Sequence, residues 1–102
     1  MTRIVAYVPD LMDRSKVAAT APGATFVRTP AELAAATADA DLVIVDLSRA
    51  GALEALSELS GVRTIGFGSH VDRDLLAAAT AAGCDQVLPR SKFFADLSEL
   101  LA

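Results

Sequence analysis

Short apolar runs alternate along this chain with longer segments in which apolar residues recur every three or four positions. The densest run is Leu42, Val43, Ile44 and Val45, within a segment that opens at Asp41 and closes at Asp46. A continuous β-branched run of this kind reads as a strand buried on both faces, the centre of a parallel sheet. Asp46 then stands at the strand's C-terminal end, the edge where open α/β sheets bind their ligands.

The flanking segments follow the same rhythm. Arg3 to Val8 is a β-rich first strand, stopped by Pro9. Asp10 is placed to cap the following helix, Leu11 to Ala21, and Asp13 falls at its third position, where negative charge suits the helix dipole. Pro22 and Gly23 end that helix, and Ala24 to Arg28 is a short second strand. Thr29, Pro30 and Glu32 form a helix start, with Thr as cap, Pro at the first position and Glu reaching back. That helix ends near Ala38. From Ala50 to Ser60, Leu53, Leu56 and Leu59 recur at helical spacing before the stop at Gly61. Val62 to Phe67 is a fourth strand, and Gly68, Ser69 and His70 form a loop. Ser69 is positioned to cap a helix from Val71 to Ala82, which Gly83 terminates. Gln86 to Leu88 is a fifth strand, and Pro89, Arg90 and Ser91 turn into a last helix, Lys92 to Leu101. Five strands alternating with five helices predict one α/β domain over residues 1–102, a parallel sheet covered on both faces in a three-layer α/β/α sandwich.

Composition narrows the function. The chain of 102 residues carries a formal net charge of −4 and no basic run, and only 5% of it is aromatic. This argues against nucleic-acid binding, which needs a positive surface and, for single strands, stacking side chains. No apolar run approaches a membrane-spanning length, and the N-terminal residues lack a signal-peptide core, so a cytoplasmic protein is expected. The single cysteine, Cys84, excludes an internal disulfide and reads as a packing residue. The single histidine, His70, supports neither a metal triad nor a Ser-His-Asp set. No glycine-rich phosphate loop follows the first strand, which disfavours a dinucleotide-binding enzyme.

Three stretches resemble the receiver domain of two-component response regulators. Asp41 to Leu47 resembles the phosphoacceptor strand. Leu75 to Asp85 resembles the fourth helix and its small-residue end, and Val87 to Phe93 resembles the fifth strand with its Lys-Pro-Phe turn. The resemblance implies a CheY-like, flavodoxin-like fold with strand order 2-1-3-4-5. It also implies a site of five groups: an acid pair after strand one that holds Mg²⁺, an acceptor Asp, a Thr or Ser after strand four and a Lys after strand five. Only the acceptor is matched unchanged, at Asp46. The acid-pair positions fall at Val8 and Pro9, with Asp10 one residue beyond. The Thr position falls at Gly68 beside Ser69, and the Lys position at Arg90. This departure resembles the pseudo-receivers, which keep the fold without the phosphorylation cycle.

The leading reading is therefore a phosphorylation-independent, non-enzymatic regulatory module that acts through protein–protein contacts and needs no cofactor. Two alternatives stand beside it. One is a working receiver that accepts phosphate on Asp46 with Mg²⁺. The other is a small α/β protein that binds an anionic ligand near Ser69, His70 and Arg90, where a helix start and a guanidinium meet. Each residue also has a plainer role: Asp46 as a loop cap, Asp10 and Asp13 as helix-start carboxylates. The resemblance places a partner or homodimer contact on the last two helices and fifth strand. Helical spacing assigns Val71, Leu75, Ala78 and Ala82 to one core stripe and Phe93, Leu97 and Leu100 to another. Leu76, Phe94 and Leu101 lie off those stripes, either packed under the sheet edge or exposed as an interaction patch.

Overall fold

The computed structural model describes residues 2–102. Five strands form one sheet: β1 (Ile4–Tyr7), β2 (Thr25–Phe26), β3 (Leu42–Asp46), β4 (Arg63–Gly68) and β5 (Gln86–Pro89). Their order is β2-β1-β3-β4-β5 and every pairing is parallel. Between and after them come α1 (Leu11–Thr20), α2 (Ala31–Ala36), α3 (Ala52–Leu56), α4 (Arg73–Ala81), α5 (Arg90–Ala95) and α6 (Leu97–Leu100).

Strand alternation splits the core into two layers, because successive side chains point to opposite faces. Val5 and Tyr7 of β1 and Val43 and Val45 of β3 face Leu33 of α2, Ala52, Ala55 and Leu56 of α3, and Ala79 of α4. Ile4, Ala6, Leu42, Ile44, Ile65 and Phe67 face Val17 of α1, Phe93 of α5 and Leu97 of α6. All five residues of β3 are buried, as a strand covered on both faces must be. Close approach shapes the first layer at Gly66, where a Cβ would meet the Leu47 methyl groups at 2.9–3.0 Å. Only glycine lets the buried Leu47 side chain lie flat on β4.

Several element boundaries differ from those expected. β2 shrinks to two residues because it is an edge strand that pairs only with Val5 and Ala6. Thr29 offers no side-chain cap to α2; instead the Glu32 carboxylate accepts the Arg28 amide at 3.1 Å. α3 stops at Leu56, and the Ser57 hydroxyl donates to the Glu54 carbonyl at 2.8 Å, so side chain and backbone compete for that acceptor. The segment beyond continues as i→i+3 turns through Leu59. α4 begins at Arg73 and is capped by Asp72, which accepts the Leu75 amide at 3.2 Å, rather than by Ser69. Val71 therefore lies outside the helix, 74% exposed, and the inward stripe is Leu75, Leu76, Ala79 and Ala82. The last helix breaks at Asp96 into α5 and α6, giving six helices among the described residues.

Cys84 follows Gly83, whose φ of +100° ends α4. It is buried, and its thiol donates to the Gln86 carbonyl at 3.2 Å. Burial pushes its pKa from the ordinary 9.0 to about 11. The folded state thus holds the thiol proton more tightly than the unfolded chain. Stability from this source is present below about pH 9 and is lost as pH rises toward 11. Ellman's reagent at pH 8 is expected to label Cys84 only after denaturant is added, because the reactive thiolate is both scarce and shielded. Stoichiometric labelling of the native protein within minutes would contradict this packing.

Candidate functional site

Five charged residues converge at the C-terminal edge of the sheet. β3 delivers Asp46 there, 3% exposed. Its Oδ1 accepts the Ser48 hydroxyl at 2.6 Å and the Ser48 amide at 3.1 Å. Its Oδ2 lies 3.5 Å from the Arg49 Nε. The carboxylate thus caps the loop that follows its own strand, and a neighbouring guanidinium offsets its charge.

The turn after β1 delivers Asp10 and Asp13. Asp10 has an extended backbone, and its Oδ1 accepts the amides of Met12 at 2.9 Å and Asp13 at 3.0 Å. Those two bonds, the Asp13 amide first, hold its carboxyl below the ordinary carboxylate value against a smaller opposing effect of desolvation, with Arg90 and Arg49 adding to the lowering. Asp13, one turn into α1, is completely buried. The first residue of α5 supplies its partner: Arg90 donates from both terminal nitrogens to the two oxygens of Asp13. The guanidinium pKa is raised, chiefly by that hydrogen bonding to Asp13. Arg90 also lies over the Phe94 ring at 5.1 Å, and Lys16 of α1 lies over the same ring at 5.0 Å.

The edge therefore brings together Asp10, Asp13, Asp46, Arg49 and Arg90. Of the residues expected there, Gly68 ends β4 and is buried against Leu75 and Leu76, whose methyl groups a Cβ would meet at 3.5 and 3.4 Å. Ser69 and His70 are exposed, and the Ser69 hydroxyl accepts only the Val71 amide, at 3.4 Å. Among the described residues no group of three His, Cys, Asp or Glu side chains is placed to hold a metal ion. Magnesium asks for several free, rigidly placed oxygens. Here the oxygens of Asp13 and Asp46 and one oxygen of Asp10 are engaged by this chain's own amides, hydroxyl and guanidinium groups, so the donor set does not suit that ion.

The Asp13–Arg90 pair escaped the sequence reading, which gave Asp13 to the helix dipole and Arg90 to a phosphate-contact position. A signal was available. Asp13 and Val17 share an i,i+4 stripe, so Asp13 lies on the buried face of α1, and a buried carboxylate demands a cation. The three off-stripe residues are divided between the two core layers. Leu76 packs in the layer of α2, α3 and α4, whereas Phe94 and Leu101 pack in the layer of α1, α5 and α6. Phe94 is half-buried, edge-on to Phe67 at 5.3 Å and to Phe93 at 4.9 Å.

A parallel five-stranded sheet in this order, with three aspartates brought to its C-terminal edge, defines a receiver-like α/β fold. Comparison with solved structures gives the fold its closer description. The chain superposes on a response regulator from Hahella chejuensis with a TM-score of 0.82 at 18% identity, covering 98% of this chain and 92% of that one. A response regulator from Thermotoga maritima gives 0.78 at 16% identity, covering 99% and 94%. The first receiver domain of ShkA, solved in complex with c-di-GMP, gives 0.73 at 23% identity, covering 96% and 87%. The chain has the fold of the response-regulator receiver domains. No family model and no curated protein matches the sequence.

Proposed function

We propose that this chain is a regulatory, non-enzymatic module with a receiver fold that works through protein contacts and without a phosphorylation cycle. One observation carries the reading: the two buried carboxylates at the functional edge are satisfied from within. Asp46 is held by Ser48 and Arg49, and Asp13 by Arg90. Phosphoryl transfer needs cationic stabilisation of charge building on the equatorial oxygens, usually from a metal. Val8 and Pro9 stand where an acid pair would hold such an ion. The anion-binding alternative loses its cation, since both terminal nitrogens of Arg90 already serve Asp13.

The contact face we propose, for a protein partner or a second copy, is the edge strand β5 with its flanking helices α4, α5 and α6. All four residues of β5 are half-exposed, so this edge offers backbone and apolar surface together.

A magnesium titration followed by amide chemical shifts tests the reading. The expected result is no saturable shift at Asp10, Asp13 or Asp46 below about 1 mM metal, since Mg²⁺ gives up its waters reluctantly to so few oxygens. Saturable sub-millimolar shifts at those amides would favour the phosphate-accepting alternative.

A further inference from the structure

We propose that Arg90 is a positioning residue whose guanidinium braces α5 against α1 and fixes the functional edge in a single state, indifferent to divalent cations and phosphodonors. This deepens the reading above and rests on it.

The brace joins elements far apart in the chain. Asp13 and Arg90 are 77 residues apart, and the fork-to-fork geometry fixes orientation as well as distance. The carboxylate end is fully buried, while the Arg90 side chain keeps 48% of its exposure. Opening the pair would therefore strand a charge in the interior and gain little for the guanidinium, which favours the closed arrangement. Arg90 opens α5, and it lies over Phe94, which meets Phe67 of β4 and Phe93 of α5 edge-on. Phe67 pairs in register with Asp46. One guanidinium thus connects the start of α1, the start of α5 and the aromatic cluster beside the acceptor-position strand. Elements that move in switching proteins have two discrete arrangements; this contact removes one of them.

Hydrogen exchange read by mass spectrometry on the full chain tests the proposal. Four proteins are compared: wild type, Arg90→Met, Arg90→Lys and Asp13→Asn, each with and without Mg²⁺ and beryllium fluoride. In the wild type, peptides over residues 11–20 and 90–100 should exchange slowly, with no change on either addition. Arg90→Met keeps apolar cover over Phe94 but has no fork. It should exchange about tenfold faster or more in both peptides while β3 and β4 stay protected, the pattern of local rather than global opening. Asp13→Asn should loosen the same two peptides. Arg90→Lys should fall between, and it keeps the comparison readable if Arg90→Met does not fold. Unchanged exchange at both peptides in the variants, or a uniform rise that includes β3, would overturn the brace. A wild-type response at β3 to Mg²⁺ or beryllium fluoride would overturn phosphorylation independence and the single state proposed for the edge, while the variant comparison alone would still judge whether Arg90 braces α5 against α1.

Discussion

Phe67→Ala is expected to remove about 3–5 kcal/mol of stability, the range for truncating a buried aromatic. Phe67 is completely buried on β4. Its ring stacks on Phe93 at 4.5 Å with the planes 13° apart, and the edge of Phe94 meets it at 5.3 Å. Each such aromatic pair adds about 0.5–1.5 kcal/mol beyond area burial. The cavity would open between the sheet and α5, and α5 is only six residues long with no side-chain cap. A short helix of this kind is held by tertiary packing rather than by its own propensity. Against a total stability of roughly 5–15 kcal/mol for a single domain, this loss takes a large share of the margin. Urea denaturation followed by circular dichroism gives the number. A loss below about 1 kcal/mol would mean that the three rings do not form the anchor of this layer.

The second large effect concerns the ion pair and has an unusual sign pattern. Arg90→Met should cost about 2–4 kcal/mol, somewhat less than breaking a wholly buried pair because the guanidinium is half-exposed. Nearly all of that loss comes from Asp13, left with no partner in a site of zero exposure. Replacing both residues, as Asp13→Leu with Arg90→Met, should bring stability back to within about 1 kcal/mol of wild type, since apolar groups of similar volume need no partner. The double variant is thus expected to be more stable than the single one, with a coupling read directly from the thermodynamic cycle. Equal losses in the single and double variants would show that Arg90 acts through its stem on Phe94 and not through its charge.

Much of this fold is legible in the sequence, and the reasons are local. Leu42 to Val45 reads as a central strand because an unbroken β-branched run has no polar face to present to water. Asp10 reads as a cap because it precedes an amphipathic stretch and Pro9 cannot continue the strand. Gly83 reads as a stop and takes the positive φ of a left-handed helix end, while Gly61, also at positive φ, lies in the turn beyond the shortened α3. Competition between neighbours is harder to read. Ser69 and Asp72 both suit a cap for α4, and the carboxylate three residues further on wins, which turns the helix's inward stripe and draws Leu76 into the core. Asp96 gave no warning of a break, because its pairing with Lys92 at 2.8 Å is also a good helical i,i+4 contact.

At the edge, single residues were readable and their partners were not. Asp46 stood out by its place at the end of β3. Its neutralisation by Arg49 and Ser48 depends on a loop path that no periodicity encodes. The Asp13–Arg90 pair spans the chain, so only the buried position of Asp13 within its helix hinted that a distant cation had to arrive. The departures from the receiver pattern were visible as substitutions at Val8, Pro9, Gly68 and Arg90. The structure adds their consequence, an edge whose charges answer one another.

The most direct test of this account is intact-mass measurement after incubating the protein with acetyl phosphate and Mg²⁺, with Asp46→Asn as the control. The account predicts unmodified protein in both samples, because Asp46 is engaged by Ser48 and Arg49 and the acid pair that would hold a neutralising metal is replaced by Val8 and Pro9. A stoichiometric phosphate adduct on the wild type that disappears in Asp46→Asn would contradict it and make this chain a working phosphoacceptor.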